Sequence, residues 1–472
     1  MKITQFPSLK DNWKRFLVFF ILLVFLYMFI SQLLMAQNFY PNVDQRMLSR
    51  ILLDKVHSRG FLESDSFDIP LFLYYSLWVF PQWPAFFSII VGAFVISFLI
   101  VYVLENFKTP LIKIVFSSAI ALLPSSVYVI SNQPMIALLM FFFSLALYFL
   151  LEFYQSQRVF YLFLSAIAFG LQFYIQFQFF WLGLLLILFF AVSYWKTGLI
   201  INYLITILFP LLFFLLSWFF LIWVFRGDLS RLSTQVFSLD LKNGINCLFQ
   251  CFQTNLISRW PIMLFYLYIL FRVGRYRSFY RSPLFLAFMA PFILIFILGT
   301  GGNQTSTSAF IILSLMNLII LFPYLGPLVN EKRQKVVIAI FLIFIFAYDV
   351  CSFLYLRREN EGAFLKAFQG EYKNESVAEY RIAASQLTPF HSVLTDTEYT
   401  YPIFCFYEGN GTIITKGSPL YQTAMANPAH FAQAYLVDKQ SMSISQDSER
   451  LSEAYGYRYY ESERFIIFST QK

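Results

Sequence analysis

Apolar positions do not alternate along most of this chain; they saturate it. Stretches of about 20 residues, long enough to cross a bilayer as helices, recur from Phe16 to about Leu356 with short polar breaks between them. About eleven can be counted, at roughly 16–36, 85–104, 111–131, 135–153, 159–175, 177–195, 199–225, 261–275, 283–300, 308–328 and 336–356. The eighth is short, and the fifth and sixth are nearly continuous. Residues 1–356 are therefore expected to form an α-helical polytopic membrane domain.

After Arg357-Arg358 the pattern changes. AEYRIAASQL reads as a helix, HSVLTD as a short strand, FYEGNGTIITKGS as a strand and turn, and AYLVD as another strand. SERLSEAYGY then reads as helical and ERFIIFS as a final strand. Alternating elements of this kind predict a small α/β domain over 357–472, of a size that can bury its own core.

Composition agrees with a membrane assignment. The chain is 59% hydrophobic and only 13% charged, with a mean hydropathy of +0.64, whereas globular chains are about a quarter charged. The net charge of +8 follows from topology, because basic residues cluster in short breaks such as RVGRYRSFYR and NEKRQK, the pattern of cytoplasmic loops. Nucleic acid is thus not an expected partner. MKITQFPSLKDNWKR reads as a cytoplasmic flank, and the first apolar run lacks a small-residue cleavage site, so it is expected to stay as a helix. An odd number of spans then puts the tail outside. Lys108, Lys113, Arg158, Lys196, Arg272 to Arg281, and Lys332, Arg333 and Lys335 all fall inside.

On that topology the two long loops, 37–84 and 226–260, are external, and they are the expected working surface. The first carries carboxylates at Asp44, Asp54, Glu63, Asp65 and Asp68, together with Arg46, Arg50, Lys55 and Arg59 on the side where basic residues are disfavoured. An anionic ligand would account for them. From Asp44, the spacing of Met47, Leu48, Ile51, Leu52 and Val56 predicts an amphipathic helix. Asp44 can cap it, for about 0.5–2 kcal/mol, or act as a base, and both readings stay open. Asp68-Ile69-Pro70 suits a second helix start, followed by an interfacial belt of Tyr74, Tyr75, Trp78 and Trp83. Glu63, Asp65 and Asp68 either bind a metal or sugar or simply solvate the loop.

Other chemistry is sparse. There is no phosphate-binding G-x-x-x-x-G-K-[ST] loop and no G-x-G-x-x-G after a strand, which argues against an ATP-driven transporter. His57, His391 and His430 are scattered, and Cys247 and Cys251 are either a loop disulfide or unpaired. Asp349 is an ionisable residue inside the last span, either functional or snorkelling to water. Gln172, Gln176 and Gln178 cluster at an outer helix end, where a carrier lipid would need polar groups.

The order of parts resembles a family: a short basic N-terminus, one helix, a large acidic first external loop, and an acidic/basic-x-Pro-Leu-x-x-Tyr element. These are features of the GT-C polyprenyl-phosphate-sugar glycosyltransferases, including protein O-mannosyltransferases and lipid A aminoarabinose transferases. Val43-Asp44-Gln45 resembles their Asp-Glu pair, and Asp68-Ile69-Pro70-Leu71 their Lys/His-Pro-Pro-Leu. ALLPSSVYVISNQPMIALLMFFFSLALYFLLE and FYLFLSAIAFGLQFYIQFQFF resemble their helix pair and the segment after it. Three positions depart from the family: Gln45 replaces the second acid, Gln133 or Pro134 stands where another acid is usual, and Thr305 to Ala309 occupies the place of an Arg-Tyr.

The resemblance implies a GT-C-like fold and transfer of a sugar, with inversion, from a polyprenyl-phosphate carrier to a protein, lipid or glycan acceptor on the extracytoplasmic face. Asp44 would be the catalytic base. Arg231 or Arg259 would hold the leaving phosphate, with Asp68, Gln45 and Gln133 among the groups binding substrate or carrier. No cofactor is certain. A divalent metal stays open, though an amide at residue 45 is a poorer ligand for a hard cation than a carboxylate. The partners expected are the lipid-linked donor and membrane lipid, and the location is an integral membrane protein, of the inner membrane if bacterial. Two alternatives remain: a catalytically inactive relative serving as a lipid-binding or assembly subunit, and a transporter, which would show inverted repeats and mid-membrane polar residues.

Overall fold

Inside a bilayer a backbone amide has only protein groups to bond, so each saturated segment is driven to close its hydrogen bonds internally as a helix. The computed structural model describes residues 9–36, 84–107, 110–175, 179–195, 198–226, 256–273, 277–280, 282–300, 307–325, 332–355, 359–370, 375–395, 400, 403–404, 406–407, 409, 411–414, 420–439 and 458–469. Its first helices are α1 (Leu9–Ala36), α2 (Pro84–Asn106), α3 (Pro110–Leu122), α4 (Pro124–Asn132), α5 (Pro134–Ser156) and α6 (Val159–Leu171), the last closed by a 3-10 turn at Gln172–Tyr174. Then come α7 (Phe180–Ser193), α8 (Ile200–Arg226), α9 (Leu256–Val273), α10 (Arg277–Tyr280), α11 (Pro283–Thr300), α12 (Thr307–Leu321) and α13 (Lys332–Tyr355).

Every one of the eleven predicted segments coincides with a helix or, at 111–131, with the pair α3 and α4. Among the described residues six helices are long and apolar enough to cross a membrane, and α3 with α4, bent by 42°, makes up to seven. Four shorter apolar helices lie at Val159–Tyr174, Phe180–Ser193, Trp260–Val273 and Pro283–Leu294.

Burial sorts the helices into centre and rim. The span over Ser308–Leu325 is 94% buried and that over Ile136–Ser156 78%, whereas Asn12–Leu34 and Ile200–Phe220 are only 28% and 22% buried. So α12 and α5 form the middle of the bundle, while α1 and α8 turn residues such as Phe25, Phe29, Phe209 and Leu216 outward, as lipid-facing helices do. With no hydrophobic drive between helices in lipid, side-chain bonds and close packing hold them. Tyr27 donates to the Ala121 carbonyl (2.9 Å) and Ser165 to that of Ala146 (2.9 Å). Gly92 lets α2 approach α4, because a Cβ there would sit 2.7 Å from Ile130 side-chain atoms.

The chain divides into two compact units; the second runs from Lys366, inside α14 (Glu359–Phe368), to Lys472, and among the described residues it also takes in 34–36 and 222–226. The second unit holds α15 (Glu375–Leu387), β1 (Ser392–Thr395), β2 (Thr412–Ile414), α16 (Tyr421–Ala426), α17 (Pro428–Phe431), β3 (Ala434–Asp438), β4 (Arg458–Glu461) and β5 (Phe465–Ser469). Its sheet runs in the order β2-β1-β3-β5-β4, with β1 parallel to β2 and β3, and β5 antiparallel to β3 and β4. Buried on both faces, β3 and β5 alternate their contacts. Leu436 and Ile467 pack with Ala383 and Leu387 of α15, whereas Tyr435 and Phe468 pack with Ala424 and Phe431 on the other side. The predicted helix and the strands at β1, β2, β3 and β5 are present. Neither β4 nor α16 and α17 was expected, and SERLSEAYGY lies outside the described residues.

One side chain knots this unit. Arg464 donates from Nε to Asp438 Oδ2 (2.9 Å), from its backbone N–H to Glu379 (3.0 Å), and from Nη1 to the Tyr380 hydroxyl (3.0 Å), joining β5, β3 and α15. Asp438 is fully buried while Arg464 is 28% exposed. By contrast Glu461, which the hydrogen bond and charge of Lys439 and then Arg458 hold below the usual carboxylate pKa, sits at the surface. Arg464→Ala strands a buried carboxylate and is expected to cost about 3 kcal/mol. Hydrogen exchange of the β3 and β5 peptides in the full chain should show correspondingly faster opening, and Glu461→Gln should leave it nearly unchanged; equal protection in all three would refute the knot.

Candidate functional site

Cross-helix bonds sort the helix termini of the first unit into two ends. At one, Ser88 near the start of α2 donates to the Ile130 carbonyl near the end of α4 (2.6 Å). At the other, Tyr102 donates to the Ile320 carbonyl (3.1 Å) and Tyr324 to Glu152 Oε1 (3.0 Å). The two long predicted loops rejoin the helices at Pro84 and Leu256, at the first of these ends, here the loop end. The second carries the basic breaks, here the basic end.

Inside the bundle the only carboxylate singled out from the sequence, Asp349, has a specific task. The chain bends at Leu123, where Pro124 starts α4 with no side-chain cap. A helix start leaves amides without partners; the Leu123 carbonyl takes those of Ser126 and Val127, but a leucine side chain cannot take that of Ser125. Asp349 of α13 supplies what is missing: Oδ2 accepts from the Ser125 backbone N–H (3.0 Å) and Oδ1 from its hydroxyl (2.7 Å). At 1% exposure it does not snorkel. It caps a broken helix from another helix, in a place where the dipole of α4 also favours negative charge.

Towards the loop end, Gln133 is the single residue between α4 and α5. Its N–H donates to the Val129 carbonyl (2.8 Å) and its carbonyl accepts from Ala137 (3.0 Å), so backbone bonds close the turn with no side-chain cap. Its side chain is half-buried at the loop end, where the resemblance places a binding residue. Arg259 lies in the first turn of α9, beside Trp260, whose ring packs on Phe344 and Tyr348 of α13 at 5.1 and 5.6 Å. Asp44, Gln45, Asp68, Arg231, Gln176, Gln178, Cys247 and Cys251 lie outside the described residues. Among the described residues no three His, Cys, Asp or Glu side chains come together to hold a metal.

Gln172, at the turn that closes α6, is fully buried, and neither its amide nitrogen nor its amide oxygen has a hydrogen-bond partner. Sequence reasoning missed two things. Ser125 is foreshadowed by Leu-Pro-Ser, a helix-start signal inside an apolar run. The Glu152–Tyr324 pair joins residues 172 positions apart, and no local pattern announces it.

No protein-family model matches this chain, and no curated protein matches it. Among solved structures it is similar to the crystal structure of ArnT from Cupriavidus metallidurans bound to undecaprenyl phosphate. The two are 11% identical with a TM-score of 0.60, over 95% of this chain and 97% of that one. At that identity the likeness is one of fold, and the fold is the GT-C-like membrane architecture with a C-terminal α/β unit that the sequence led us to expect.

The cap can be tested directly. Asp349→Leu orphans the Ser125 amide and hydroxyl and is expected to cost about 1–3 kcal/mol. Asp349→Asn, whose amide oxygen still accepts, should cost less. Thermal unfolding in detergent measures both, and a leucine variant as stable as the parent would remove Asp349 from this role.

Proposed function

We propose that this protein is a membrane glycosyltransferase that moves a sugar from a polyprenyl-phosphate carrier to an acceptor on the extracytoplasmic face. One observation carries the reading: a fold shared along nearly the whole chain with a protein whose structure holds undecaprenyl phosphate. The motifs around Asp44 and Asp68 support it independently.

The chemistry asks for a base on one side of the anomeric carbon and charge stabilisation of the leaving phosphate on the other. Asp44 takes the proton of the attacking acceptor hydroxyl. Arg231 and Arg259 receive the phosphate, which a guanidinium fork can grip with two parallel bonds. The position of Arg259 favours this role. A cation in the first turn of a helix opposes the helix dipole, so an anion there relieves both charges at once. Asp68, Gln45 and Gln133 bind substrate or carrier around this centre, and the membrane spans hold the isoprenoid tail in lipid. All these steps use the chain's own residues. The amides at 45 and 133, where the family usually has acids, favour a second reading, a relative that binds the lipid without turning it over.

Mass spectrometry of co-purifying lipid separates the two. The parent protein is expected to retain a polyprenyl phosphate or its sugar adduct, and Arg231→Ala or Arg259→Ala to lose it. Asp44→Asn should retain the carrier while consumption of the lipid-linked sugar in membranes falls about 10²–10⁴-fold. Retained carrier with unchanged consumption makes Asp44 a helix cap; bulk phospholipid alone in every variant counts against the donor site.

A further inference from the structure

The turn Gln172–Tyr174 is held on two sides. Gly170 faces Phe214, and Tyr174 shares a hydrogen bond with Ser217, both on α8. Phe173 packs edge-on against Phe180, at 5.9 Å, and lies against Gly183 of α7. Gln172 falls on the remaining side, where the turn packs on α5. The Ser165–Ala146 bond sets α6 antiparallel to α5, so Gln172 comes level with the first two turns of α5, just inside the loop end.

There it is buried with its amide nitrogen and its amide oxygen both unpaired, the only described side chain with two polar atoms in that condition. Serine hydroxyls elsewhere in the bundle are also unpaired, but each carries one polar atom. An orphaned carboxamide is a standing cost to the fold, and its neighbours Leu171 and Phe173 have no polar side-chain atom to offer it. Buried groups left in this state call for a partner supplied from outside the chain. The complement must both accept and donate. The phosphodiester of a carrier only accepts, and would leave the amide oxygen facing negative charge. A sugar hydroxyl or acetamido group does both.

We infer that Gln172 binds the sugar of the lipid-linked donor, pairing its amide with a hydroxyl or acetamido group and so distinguishing a loaded carrier from a spent one. This rests on the proposed transferase reading, because it needs the carrier to dock at the loop end.

The test compares the full-length parent with Gln172→Met, which keeps length and loses both polar atoms, and with Gln172→Leu. The probes are undecaprenyl phosphate alone and undecaprenyl phosphate carrying glucose, N-acetylglucosamine or arabinose. Without ligand both variants should melt at least about 2 °C higher than the parent, since an unpaired buried amide has been removed. Bare undecaprenyl phosphate should bind all three proteins equally. At least one loaded carrier should bind the parent about tenfold or more tighter than the bare one, and that gain should vanish in the variants. Variants that melt lower show that the amide already has a structural partner, and the inference fails. It also fails if the sugar gain survives in the variants, or if no loaded carrier gains over the bare one. No binding of bare undecaprenyl phosphate to the parent instead brings down the transferase reading itself.

Discussion

A bilayer offers no water to a broken backbone, and in this protein that constraint converges on the Asp349–Ser125 contact. The apolar run from Pro110 to Asn132 does not continue straight; it bends at Leu123. The bend serves packing. Before it, α3 lies against α13; after it, α4 packs on the buried centre of the bundle, α12, and on α2 through Gly92. Such a redirection exposes helix-start amides in a medium where each unsatisfied group costs several kcal/mol. One carboxylate on α13 answers both polar atoms of Ser125. The start of α4, the turn at Gln133 and the start of α5 all follow from where that bend points.

The legible part of this fold was the part written in local periodicity. The saturated runs became helices because their composition leaves the backbone no other partner than itself, though among the described residues only six or seven of them are long and apolar enough to cross a membrane. The bend was harder. Hydropathy has no direction, so 111–131 read as one span even though Leu-Pro-Ser is a helix-start signal, and the acceptor that completes it lies 224 residues away. The C-terminal sheet shows the same divide. AYLVD and ERFIIFS are dense in β-formers and became the fully buried strands β3 and β5. Arg-Tyr-Tyr-Glu, the half-exposed edge strand β4 with its register shift, has its tyrosines flanked by charges, so no apolar run marks it, and α16 and α17 are too short for a helical period to show.

Polar groups inside the bundle divide by whether they are answered. Near the basic end Glu152 takes the Tyr324 hydroxyl; in mid-bundle Asp349 takes Ser125. Both pairs join elements distant in sequence and are fully explained by the fold they stabilise. Gln172 is not explained in that way. Its turn is fixed by its neighbours Gly170, Phe173 and Tyr174, so the amide adds nothing to its own placement. In a packed interior such a group calls for a partner the fold itself does not supply, an ordered water or a bound ligand.

On the proposed transferase reading, the amides at 45 and 133 share a chemical consequence. A carboxylate near a phosphate repels it, and a transferase that keeps carboxylates there needs a cation between the two. A carboxamide removes the repulsion, and its NH₂ can donate to phosphate or sugar oxygen directly. On that reading, glutamine in place of an acid at 45 and 133 weakens a metal site and improves a neutral one by the same change. A donor carrying one negative charge and several hydroxyls can be held by arginines for the charge and amides for the hydroxyls. On that division of labour Asp44, keeping its carboxylate where its neighbour has become an amide, is the acidic position with a reason to stay acidic: a proton can be given to it, and none of the glutamines could take one.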